Sequence, residues 1–243
     1  MSFPNVLYGP EGEQFSRYTT QRWPLGTQLV MQDGRKYRFT LAGGTTLVIG
    51  DLLTSKANVA NDVDRTGIAA AVGSKAPTLT LGGATTANLY AEGFWNISVT
   101  PGGGESYLIN NHLAGTTAVV FNLESGHTLR TAITITSRVD LIANPYKSVI
   151  QTPVTTTTAA PVGVAVSAGT NAEYGWVQTA GMDCVLTSGT VVLGAPVANI
   201  QVAGAVGPLS TTIATTVVQQ VVGTCQRVAA GAAWSAVKLL LDG

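Results

Sequence analysis

The sequence predicts an all-β protein built of sandwich- or barrel-like modules, with an extended N-terminal arm. Three observations carry this. Short strand-like runs follow one another from residue 28 to the end of the chain. Gly-rich or Asp-Gly breaks separate them, the pattern expected of sandwiches and barrels. No segment of about 20–50 residues repeats, which argues against a solenoid.

Residues 1–26 hold Phe3, Pro4, Tyr8, Pro10, Phe15, Tyr18, Trp23 and Pro24 without periodicity. Proline is unwelcome inside regular structure, so this stretch is expected to be extended. Its aromatics lie either on a neighbouring subunit or back on their own domain. The partner-contact candidates are Phe3, Tyr8, Phe15, Arg17, Tyr18, Arg22 and Trp23.

Gln28–Gln32 and Arg35–Leu41 flank Asp33-Gly34, a strong short-range hairpin signal. Arg35, Lys36 and Arg38 follow the turn. Charge of this kind commonly blunts an edge strand; the sharper alternative is contact with an acidic partner. Thr46–Ile49 forms another short strand, and residues 51–75 fit a helical turn or a loop equally well.

From residue 77 the pattern is clearly β. Thr78–Leu81, Gly93–Thr100, Glu105–Ile109, Thr117–Leu123 and Ala132–Leu141 are the expected strands. Ile133, Ile135 and Leu141 are expected in the core, with Thr134 and Thr136 outside. Gly102-Gly103-Gly104 is a hairpin tip, since neither a helix start nor a Lys-Ser/Thr pair follows to make a phosphate cradle.

Asn144-Pro145-Tyr146 and the run from Thr152 to Pro161 mark a linker by their prolines and small β-branched residues. The expected division is an arm over 1–26, a β-rich domain over 27–150, a Thr/Pro linker over 151–161 and a C-terminal β-module over 162–243. That module is organised around Glu173-Tyr174-Gly175-Trp176-Val177-Gln178-Thr179-Ala180-Gly181. In a strand, Tyr174, Trp176 and Gln178 share one side, and Gly175, Val177 and Thr179 the other. Val221–Cys225 and Ala236–Leu240 are expected to pair.

Composition limits function. Charged residues are 11% of the chain, against about 25% in a typical protein, apolar residues are 45%, and the formal net charge is +0. There is no basic field to hold a nucleic-acid backbone. No basic start followed by an apolar core marks a signal peptide, and no apolar run approaches the roughly 20 residues of a membrane span. Interfaces are poor in Lys, Glu and Asp, so a weakly charged surface points to a permanent assembly. Without an export signal, Cys184 and Cys225 are expected as free thiols.

Catalytic signals are sparse. The two histidines, His112 and His127, offer no zinc-ligand spacing and sit near no nucleophile-elbow serine; they read as turn residues. Glycoside hydrolysis needs only two carboxylates, and Glu92, Glu105, Glu124 and Glu173 are available for it. No cofactor motif is present.

Several stretches resemble virion structural proteins of tailed bacteriophages. They are Asp33-Gly34-Arg35-Lys36-Tyr37-Arg38-Phe39 with Ala42-Gly43, Tyr90-Ala91-Glu92-Gly93, and Asn144-Pro145-Tyr146-Lys147-Ser148-Val149-Ile150. Tyr174–Gly181 with Val162-Gly163-Val164 is similar to the same group and, more loosely, to head-decoration proteins. The resemblance covers most of residues 28–241 and includes no catalytic signature. It implies a non-enzymatic capsid cement or decoration protein without cofactor or metal, binding the major capsid protein on the outside of the head as a homotrimer. It further implies assembly in the host cytoplasm, with no nucleic-acid or membrane partner. The alternative is a tail, fibre or baseplate component that binds a receptor or glycan.

Overall fold

Alternating apolar residues and glycine-bearing turns do form strands throughout. The computed structural model describes residues 6–154, 159–210 and 219–242. Among them are eighteen strands. In chain order the first five are β1 (Val6–Tyr8), β2 (Arg17–Tyr18), β3 (Gln28–Val30), β4 (Lys36–Leu41) and β5 (Leu52–Thr54). Then come β6 (Arg65–Thr66), β7 (Thr78–Leu79), β8 (Phe94–Val99), β9 (Ser106–His112), β10 (Val119–Leu123) and β11 (Arg138–Ile142). The last seven are β12 (Ile150–Gln151), β13 (Pro161–Ala165), β14 (Tyr174–Thr187), β15 (Pro196–Asn199), β16 (Val206–Pro208), β17 (Val221–Cys225) and β18 (Ala233–Leu240).

The chain divides into two units, and the division corrects the expected one. Residues up to Ala57 join those from Pro145 onward, while Asn58–Asn144 form a second unit inserted between them. The expected linker over 151–161 is no boundary. Gln151 pairs with Leu53, Pro161 pairs with Thr54, and Thr152 is buried with its hydroxyl donating to the Leu52 carbonyl. Residues 155–158 of that linker lie outside the described residues. Nor is 162–243 a separate module, because the first half of β14 pairs with β4.

The inserted unit is a six-stranded antiparallel sheet in the order β6-β11-β8-β9-β10-β7. A bridge between Gly67 and Leu79 joins its two ends and closes it into a barrel. Alternation directs Val139 and Leu141, Trp95 and Ile97, Tyr107 and Ile109, and Phe121 inward, where they are buried. The β8–β9 tip carries Gly102 and Gly104 at φ 89 and 90, as expected of a glycine hairpin tip. Ile133 and Leu141 lie in this core, but Ile135 is 74% exposed. Residues 134–137 form a turn, closed by the Ser137 N–H donating to the Thr134 carbonyl, so the alternation fails there.

In the first unit, β14 is the longest strand and belongs to two closed circuits. Its first half lies between β4 and β13; from β13 the pairing runs through β5 and β12, and the Ala42–Val149 bridge returns it to β4. Its second half pairs with β18, then β17, β15 and β16, and back to β14 at Thr187. Gly175 through Thr179 are all buried because an apolar layer covers each face. Trp176 packs with Leu29, Tyr37 and Phe39, while Val177 packs with Leu47, Leu53 and Val162. Burial of a side chain such as Trp176 stabilises the fold by about 3 kcal/mol.

A bulge between Gln178 and Ala180 separates the halves of β14. Gly181, at φ 95, supplies the left-handed conformation, and a Cβ there would come within 2.8 Å of Arg35. The buried Gln178 side chain donates to the Ala180 and Met182 carbonyls at 3.3 and 2.9 Å, satisfying backbone that the bulge unpairs. The Asp33-Gly34 hairpin and the β17–β18 pairing form as the sequence predicts. However, β4 is an interior strand between β3 and β14 rather than a charged edge.

Candidate functional site

The expected N-terminal arm is part of the first unit. β1 pairs in parallel with β3, and β2 pairs with β14. Trp23 meets Trp176 with ring centroids 5.3 Å apart and Phe39 at 5.2 Å; Tyr18 meets Trp23 edge-on at 5.6 Å. Glu13 accepts hydrogen bonds from the Tyr18 hydroxyl and the Trp176 indole at 2.6 and 3.1 Å. Arg17 donates to the Ser167 hydroxyl and carbonyl, in space left by Gly169 and Gly175. Arg17, Tyr18 and Trp23 are therefore half-buried and engaged within their own unit. Arg22 is exposed and stacks over the Tyr18 ring. Tyr8, 84% exposed, and Phe15, also exposed, remain open to solvent. Phe3 lies outside the described residues.

Another open apolar surface belongs to the second half of β14 and its neighbour β18. Opposed residues in an antiparallel pair point to one face. The rungs Leu186–Trp234, Cys184–Ala236, Met182–Lys238 and Ala180–Leu240 therefore make one ladder. The opposite face carries Val185, Val237 and Leu239 into the core. On the outer face, Trp234 is 53%, Leu240 49% and Met182 48% exposed, and Cys184 is an exposed free thiol. The Trp234 indole reaches across Leu186 toward Gly50, where an added Cβ would sit 2.7 Å from its nitrogen.

At the Ala180–Leu240 end the ladder opens into a cleft of about 610 Å³, bounded by the β3–β4 turn, the β14 bulge and the end of β18. Its carboxylates are held by arginines. Arg35 binds Asp33 at 2.5 Å and Glu11 at 2.9 Å, and Arg38 grips both oxygens of Asp242 at 2.6 and 2.8 Å. The Arg38 hydrogen bonds hold the Asp242 carboxyl below its ordinary range, and Asp242 in turn raises Arg38. Asp183, on the opposite face of β14, accepts the Cys184 N–H through one oxygen, while the other is cut off from solvent without a partner. Burial pushes its carboxyl up to about 6.

No family model, curated protein or solved structure matches the chain. No helix among the described residues is long and apolar enough to cross a membrane. Nor does any group of three or more His, Cys, Asp or Glu side chains among them come together to hold a metal ion.

Three of the carboxylates considered for glycan cleavage accept hydrogen bonds from their own surroundings. Glu105 accepts from the Tyr107 and Thr131 hydroxyls, Glu124 from the Ser125 N–H, and Glu173 from the Thr170 N–H. His112 is a buried strand residue rather than a turn residue. Its Nε2 accepts the Tyr90 N–H, which leaves Nδ1 to donate to the Leu113 carbonyl. Cys184 and Cys225 are free, as expected.

Sequence reasoning missed the ladder. A signal was present, since Trp234–Leu240 is apolar at both odd and even positions, more than one core can use.

Proposed function

We propose that this protein is a non-enzymatic structural component of a bacteriophage particle, a capsid cement protein. In this reading it binds the outside of the head, bridges neighbouring major capsid proteins and acts as a trimer. The observation that carries the reading is the β14–β18 ladder, an uncovered apolar face with a half-exposed tryptophan at one end and a cleft at the other. Exposed contiguous apolar surface marks interaction sites, and tryptophan is enriched among residues that dominate binding energy. The low charge of the chain supports the same reading, as does its resemblance to virion structural proteins. Modest contacts suffice in such a setting, because a trimer engaging several sites gains from effective concentration.

The test uses heads purified from particles lacking this protein. Wild-type protein is expected to bind them saturably and sediment with them. Met182→Ser combined with Trp234→Ser is expected to weaken binding at least tenfold while leaving the far-ultraviolet spectrum unchanged. Failure of the wild-type protein to bind, or equal binding by the variant, overturns the reading. Binding confined to tails favours the tail-component alternative.

A further inference from the structure

We infer that the cleft at the end of the ladder takes a carboxylate, presented by an extended apolar segment of another protein chain. This rests on the reading of the ladder as a docking face and names the chemistry of what docks there.

The inference comes from how the charges are used. Arginines make the ion pairs Arg35–Glu11, Arg35–Asp33, Arg38–Asp242 and Arg138–Asp64. Arg35 is occupied by Asp33 and Glu11, and Arg38 by Asp242. Neither lysine of the cleft is ion-paired with a carboxylate of the described residues: Lys36 donates to the backbone carbonyl of Asp242 at 3.2 Å, and Lys238 is in none of these pairs. The Asp183 carboxylate does not serve them, since it points to the core face and already accepts the Cys184 N–H.

Ala180 pairs with Lys36 on one side and Leu240 on the other, and Lys238 lies one rung further along β18. Strand spacings put the two lysine Cα atoms about 12 Å apart. Two lysine side chains reach a shared point across that span, above Ala180 and Met182. A carboxylate there meets two ammonium groups, and its apolar neighbours in an extended segment continue along Met182, Ala236 and Trp234. The occupant is therefore an apolar strand with one acidic residue. A basic segment is repelled by both lysines.

The test titrates the full-length protein with three peptides, acetyl-Glu-Thr-Val-Thr-Leu-amide, in which Glu, Val and Leu share one face, and its counterparts with Gln or Lys in place of Glu. Binding is followed by the backbone amide resonances of Gly181, Met182 and Lys238. The Glu peptide is expected to bind about tenfold tighter than the Gln peptide, with the Lys peptide weakest. Lys238→Gln and Lys36→Gln are each expected to erase the preference for Glu, and 0.5 M salt to reduce it.

Equal binding of the three peptides, no binding of the Glu peptide, or a Glu preference that survives both substitutions overturns the inference. Failure here with saturable binding of wild-type protein to heads sinks the carboxylate site and leaves the docking face standing. Success here without head binding leaves the carboxylate site standing and sinks the capsid reading.

Discussion

Asp183 and Asp242 are carboxylates of the same unit whose surroundings shift them in opposite directions. Asp183 is raised by burial to about 6, above its unfolded value of about 3.9. Folding therefore favours its protonated form, and the cost of the charge is present above pH 6 and relieved as pH falls toward 4. Asp183→Asn is expected to raise stability by about 2 kcal/mol at pH 8 and to flatten the pH dependence between 4 and 7 in thermal melts. Unchanged melts at pH 8 would contradict this. Asp242 has the other sign. Its carboxyl is depressed by Arg38, so its contribution is present above the unfolded value and lost as pH falls through the folded one. Asp242→Asn is expected to cost about 2 kcal/mol at pH 7 and nothing near pH 2, as measured by urea unfolding. Neither shift is legible in the sequence. Asp183 sits in an alternating run that gives no sign of which face is buried, and Asp242 finds Arg38 across 204 positions of chain.

At the scale of the element, β17 and β18 approach too closely for any side chain at Gly223. A Cβ there would lie 2.2 Å from the Lys238 carbonyl oxygen, which is backbone and cannot swing away. Gly223→Ala is expected to cost about 3 kcal/mol and to speed amide exchange in β17 and β18 before it affects β8 or β9. Local chemistry made several elements readable. Asp33-Gly34 announced its hairpin, and the alternation of Tyr174, Trp176 and Gln178 announced the start of β14. The bulge at Gln178–Ala180 was not readable, because its carbonyls are satisfied by a side chain rather than by a sequence pattern. Ile135 was misplaced for a related reason. One turn over residues 134–137 breaks the alternation that its neighbours obey.

At the scale of the molecule, the inserted unit has its own closed sheet and its own core around Trp95 and Phe121. Leu141→Ala, at a fully buried position of that core, is expected to lower the stability of the inserted unit by about 3 kcal/mol. Exchange protection in β14 and β18 should not change; equal loss in both units would contradict the division. Prolines drew the sequence reading toward a break over 151–161, yet only Asn144-Pro145 coincides with a boundary, and the Ala57–Asn58 boundary carries no such punctuation. The ladder escaped notice because a two-sided apolar strand reads as core until its neighbours are known. The central claim is that this face exists to be covered by the shell of a virus particle. Counting copies of the chain in purified particles by quantitative mass spectrometry tests it most directly. The account predicts hundreds of copies per particle, lost together with the shell; a dozen or fewer, or none, would contradict it.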